Sequence, residues 1–104
     1  NYQARNNLQA MKKGDLVLYY HSNEGMEVVG IAKVLKEHYP DPTIDDPRWV
    51  VVDLAPYKAM KKPVSLAQMK QDPMLANIGL IRQGRLSVMP LKSEEFDRIV
   101  EMGS

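Results

Sequence analysis

Hydrophobic and polar positions change their spacing several times along this chain, and each change predicts an element. Leu8 and Met11 share one face at helical spacing, so a short helix is predicted over residues 4–12. Lys13, Gly14 and Asp15 end it, as a glycine after a basic last turn should. Residues 16–21 form an apolar and aromatic run of strand length, followed by a turn at 22–25. Residues 28–35 are rich in β-branched side chains and predict a second strand, within which Gly30 signals a bulge or sharp bend. Residues 39–47 carry three prolines and three aspartates without periodicity, which predicts an irregular surface loop.

A third strand is predicted over residues 49–54, with 57–60 continuing it after Pro56. Ser65 is placed to cap a helix running to about Gln71, and Gln68 completes a capping box. One further turn is expected over 73–78, and short strands at 80–81 and 86–89 around Gln83 and Gly84. Ser93, followed by Glu94 and Glu95, starts a last helix through Met102, with Gly103 and Ser104 as a polar tail. Short strands joined by loops, with a few helices, predict an α+β fold: a small mixed β-barrel with peripheral short helices. Strands and long helices do not alternate, which argues against a doubly wound parallel sheet. There is no internal repeat, so residues 1–104 are read as a single domain.

Composition narrows the function classes. Apolar residues make up 44% of the chain, enough for a core. A formal net charge of +1 favours a small recognition site over a long phosphate-gripping groove. The absence of cysteine removes disulfides, thiolate catalysis and cysteine-ligated zinc. No apolar run reaches membrane-helix length, so no membrane partner is expected, and no secretory signal is visible. The chain opens on Asn1 rather than methionine and is expected to start inside a longer protein.

The candidate chemistry is mostly recognition chemistry. His21 and His38 are the two histidines, and neither has metal-ligand spacing to a second histidine or carboxylate. Ser22 and His21 are neighbours on a strand and point to opposite faces, so they do not make a nucleophile–base pair. His21 either ends its strand against a loop or lines a pocket mouth. Asp41, Asp45 and Asp46 lack calcium-loop spacing and are interrupted by prolines. Tyr19 and Trp49 are expected in the core, with base stacking as the alternative. Tyr19 and Tyr20 are adjacent in a strand, so only one can face the core. Arg5, Arg82 and Arg85 offer planar forks suited to phosphate or a base edge, whereas the lysines are scattered. There is no glycine-rich phosphate loop and no paired-carboxylate constellation, so neither an enzyme nor a cofactor is expected.

Several segments together resemble one family. These are Asn1-Tyr2-Gln3-Ala4-Arg5-Asn6-Asn7-Leu8, the run from Met11 to Ser22 ending Leu18-Tyr19-Tyr20-His21-Ser22, and Val29-Gly30-Ile31-Ala32-Lys33-Val34. They are followed by Tyr39-Pro40-Asp41-Pro42-Thr43, Arg48-Trp49-Val50-Val51-Val52-Asp53, Pro63-Val64-Ser65-Leu66, and the run from Leu80 to Pro90. In this order they are similar to the EVE domains of the PUA-like superfamily. The resemblance implies a PUA-like pseudo-barrel, akin to the YTH domains that read methylated adenine. It also implies a nucleic-acid partner, DNA or RNA, carrying a modified cytosine or methylated adenine that leaves its stack for a pocket. Tyr20, His21 and Ser22 would line one side. Asn1, Arg5 and Asn6 would approach from the first helix, and Arg85, Leu86 and Ser87 would close the pocket or hold the flanking backbone. The family's first strand, with a tryptophan near the pocket, precedes the position of Asn1, so this chain is expected to lack it.

On that resemblance the chain is a non-catalytic reader, cytoplasmic in a bacterium or nuclear in a eukaryote. Two other classes stay open on the residues alone. One is an enzyme or binder acting on a small nucleotide-like ligand; the other is a protein-interaction domain using an exposed edge.

Overall fold

A computed structural model of the chain describes residues 2–22, 25–83 and 87–104. Helix α1 (Tyr2–Ala10) leads into β1 (Leu16–His21), β2 (Glu27–Pro40) and β3 (Val50–Ser65). Helix α2 (Leu66–Lys70), a 3-10 turn at Pro73–Leu75, α3 (Gly79–Arg82) and α4 (Ser93–Met102) follow. Gly14 turns the chain between α1 and β1 with φ of 94°, a conformation that suits glycine.

The three strands form one antiparallel sheet in the order β1-β2-β3. β1 and β3 are its two edges, so among the described residues this is an open sheet and not the expected barrel. One reason lies in residues 80–83 and 87–89. Leu80 and Ile81 belong to α3 rather than to a strand, and Ser87 and Val88 are bends, so these positions supply no strand to join β3 back to β1. In α3 the local hydrogen bond from Arg82 N to Ile78 O, 3.1 Å, fixes helical geometry.

The bulge expected at Gly30 is present. Tyr19 pairs with Gly30 but Tyr20 pairs with Val28, which leaves Val29 as the extra residue. Opposite β3, Val28 pairs with Val64 and Gly30 with Ala59, so residues 60–63 leave the ladder. Lys62 N is then free to donate to Gly103 O, 3.1 Å, at the end of α4. Gly103 is therefore buried against β3, not part of a polar tail.

The bulge also decides which tyrosine points inward. Tyr20, Val28 and Val64 form one row across the sheet. Val28 and Val64 belong to the core with Met69, Leu75, Ile78 and Ile99, and Leu18 and Tyr20 pack against it. Met69 and Leu75 have no exposed surface, and burial of such side chains is worth about 1.5–3 kcal/mol each. Tyr19 faces out and is 53% exposed, and Trp49 is 44% exposed, so the expectation that both fill the core is corrected. Trp49 sits outside the strand because β3 begins only at Val50.

The helices enclose the other side of this core. Ser65 caps α2: its hydroxyl accepts from Gln68 N at 3.1 Å while Gln68 Oε1 accepts from Ser65 N at 2.9 Å, the capping box read from the sequence. Asp72 starts the 3-10 turn and accepts from Met74 N. At α4, Glu95 reaches back to accept from Lys92 N at 2.8 Å. α1 lies against β2 and β3 and buries Ala4. No helix among the described residues is long and apolar enough to cross a membrane.

Candidate nucleic-acid interface

The end of β1 presents three consecutive side chains, two of them on opposite faces. Tyr20 turns onto the core, and burial pushes its phenol above the ordinary value, so it stays neutral at physiological pH. His21 turns the other way and meets Tyr19 edge-to-face, with ring centroids 5.5 Å apart. Ser22 follows, exposed, at the start of the turn.

Arg5 and Asn6 sit in α1. Asn6 is exposed. The Arg5 guanidinium lies over the Tyr2 ring, 4.7 Å from its centroid, and its Nε is buried with no hydrogen-bond partner among the described residues. No hydrogen bond or ring contact among the described residues joins Arg5 or Asn6 to Tyr20, His21 or Ser22.

Asn7 ties α1 to the segment after α3. Its Nδ2 donates to Val88 O at 2.6 Å, which fixes the residue next to Ser87 against α1. Ser87 itself is exposed. Asn1, Arg85 and Leu86 lie outside the described residues. Arg82, a candidate fork, donates from Nη1 to Asn77 Oδ1 at 3.1 Å.

Sequence reasoning missed one cleft. Tyr2, Arg5, Arg48 and Trp49 line a cavity of about 140 Å³ between α1 and the end of the 41–49 loop. The loop is held by its own aspartates. Asp41 Oδ1 accepts from Thr43 N and Oγ1, and Trp49 O accepts from Asp41 N. Asp46 accepts from Arg48 Nε and Nη2, the latter at 2.8 Å, and from Arg48 N. Arg48 in turn holds the Asp46 carboxyl down at about 2. Asp46 first, and then the Tyr2 hydroxyl, raise Arg48 above the ordinary arginine value. The available signal was an arginine followed directly by the sole tryptophan, just after a proline.

A larger, open hollow of about 350 Å³ lies beside α2 and α4. Its Arg98 is spent on Asp72 at 2.6 Å and Glu101 at 3.2 Å, so it offers little free charge to an anion. Among the described residues no group of three or more histidines and carboxylates converges as a metal site would need.

Residues 1–102 match the EVE domain. The chain belongs to the EVE domain family. Human thymocyte nuclear protein 1 is 36% identical over 125 aligned residues, which take in 98% of this chain and 56% of that protein. The mouse protein of the same name is 38% identical, over 98% of this chain and 55% of that protein. The chain thus spans about half the length of these relatives. Among solved structures, a protein from Agrobacterium tumefaciens superposes with a TM-score of 0.97 at 46% identity, covering 100% of this chain and 72% of that one. Human THYN1 protein, in complex with DNA containing 5-methylcytosine, superposes with a TM-score of 0.90 at 35% identity, covering 100% of this chain and 74% of that one.

Proposed function

We propose that this EVE domain is a non-catalytic nucleic-acid-binding module that reads a modified base, with a modified cytosine in DNA as its first ligand. The observation that carries this reading is the human relative, which matches the whole of this chain and holds DNA containing 5-methylcytosine. The chain's own residues suit the task. Tyr20 offers a neutral phenol at the rim of the core, with His21 and Ser22 adding polar groups beside it. Arg5 contributes an arginine in which one N–H lacks an acceptor, and arginine suits a phosphate or a base edge. The Asn7–Val88 bond keeps Ser87 close to the same helix. A flipped base would lie against Tyr20, with Arg5 on the flanking backbone.

Matched oligonucleotides carrying plain cytosine, methylcytosine, hydroxymethylcytosine or methyladenine, as DNA and as RNA, test this at two salt concentrations. A preference for one modified base that persists at the higher salt is expected, because base readout is less salt-dependent than phosphate contact. Equal affinity for every oligonucleotide, or none, would sink the reader assignment.

A further inference from the structure

We propose that the cleft between Tyr2, Arg5, Arg48 and Trp49 is a second nucleotide subsite, with a phosphate group on the two guanidinium groups and the attached base stacked on Trp49. This rests on the reading of the chain as a nucleic-acid binder; it shares Arg5 with that reading and adds Tyr2, Arg48 and Trp49, apart from the β1 end. Arg5 brings a buried Nε with no acceptor among the described residues, an arrangement that is costly until an acceptor arrives. Arg48 is fixed in place by Asp46, which takes its Nε and Nη2. Two guanidinium charges against one carboxylate leave the cleft with a positive balance among its lining and anchoring groups.

Size and exposure settle how the ligand divides. A cavity of about 140 Å³ is small beside the roughly 300–1,000 Å³ of pockets that enclose a drug-sized ligand. A phosphate group fits that space, and a whole nucleotide does not. The base must then lie outside, where Trp49 is 44% exposed. Indole faces stack bases of any sequence, so this subsite adds affinity without selecting a base.

Trp49 is the sole tryptophan of the chain, so its fluorescence reports on the subsite directly. The protein is titrated with an unmodified single-stranded DNA, with deoxycytidine monophosphate and with inorganic phosphate. Quenching by the oligonucleotide is expected. Far tighter quenching than by the mononucleotide identifies a polynucleotide as the source, and equal quenching identifies a free nucleotide. Calorimetry on variants supplies the second readout. Trp49→Ala is expected to weaken oligonucleotide binding by about 5- to 100-fold, and Trp49→Phe to recover most of it. Arg5→Gln, which leaves the 41–49 loop intact, and Arg48→Ala should each lower the salt slope by about 1. The losses in Trp49→Ala and Arg48→Ala should be the same for modified and plain DNA. Oligonucleotide binding with no change in Trp49 fluorescence and no loss in Trp49→Ala overturns the subsite and leaves the reader assignment standing. Quenching without any modified-base preference does the reverse. Silence of Trp49 with all three ligands, together with no calorimetric binding of modified or plain oligonucleotides, overturns both.

Discussion

Asn7 and Val88 are 81 positions apart in the chain and joined by a 2.6 Å hydrogen bond from the Asn7 amide to the Val88 carbonyl. The bond is half-buried and sets the distance between the first helix and the segment that carries Ser87. Asn7→Ala should cost about 1 kcal/mol, the usual worth of such a bond, and lower the melting temperature by about 4–8 °C. Asn7→Asp should cost more, since a carboxylate cannot donate to the carbonyl. Calorimetric melts of the two variants check the order, and an unchanged melt for both would remove the bond from the stability of the fold.

The bulge at Val29 makes adjacent tyrosines unequal. Tyr20→Ala should destabilise by about 2–4 kcal/mol, because it empties space beside Val28 and Val64. Tyr19→Ala removes a side chain that is 53% exposed and should cost less than about 1 kcal/mol. Urea denaturation followed by circular dichroism compares them; equal losses would contradict the strand register.

Gly103 has no room for a side chain. A Cβ there would run into Met60 Cε and lie 3.0 Å from the Lys62 carbonyl oxygen. Met60 can swing aside, but the backbone of β3 cannot. Gly103→Ala is therefore expected to cost about 1–3 kcal/mol, and Gly103→Val more. Gly14→Ala is the comparison: it meets nothing within 4 Å, and its cost is that of φ at 94° alone.

Acid should loosen the 41–49 loop in a defined window. Asp46 is held at about 2 by Arg48, below its unfolded value of about 3.9. A carboxyl with a depressed folded pKa takes up protons more readily when unfolded. Its stabilising effect is complete above the unfolded pKa and is lost as pH falls through the folded one. Asp72, lowered by Arg98, has the same sign. Stability should therefore fall between about pH 4 and pH 2, and Asp46→Asn and Asp72→Asn should each flatten that fall. Denaturation midpoints across pH 2–6 give the curve; parallel curves for wild type and both variants would refute the assignment.

What the chain disclosed in advance was local. The Ser65–Gln68 box and the Gly30 bulge depend on residues a few positions apart, and both are present. The extents of β2 and β3 were not legible. β2 runs on to Pro40 through Lys36, Glu37 and His38, an exposed polar stretch flanked by the Lys36–Asp53 and Tyr39–Val51 pairs with β3. Leu80 and Ile81 looked like a strand because two adjacent apolar residues carry no period, and a local helical turn took them instead. At the site, the arginine beside Tyr2 was visible, but its meeting with Arg48 and Trp49 depends on how a long hairpin returns to the first helix. No spacing in the sequence encodes that.

The two flanks of the sheet differ in how they would receive another chain. β3, an edge, includes Pro56 and Pro63, each of which deletes a donor along that border, and residues 60–63 swing away towards α4. β1 has neither proline nor glycine along its six residues. Self-templated growth into fibrils, which requires an uninterrupted border on both sides, is thereby blocked on one of them. A designer wishing to make this domain more resistant to clumping should spend the first mutation on the exposed positions of β1, not on β3.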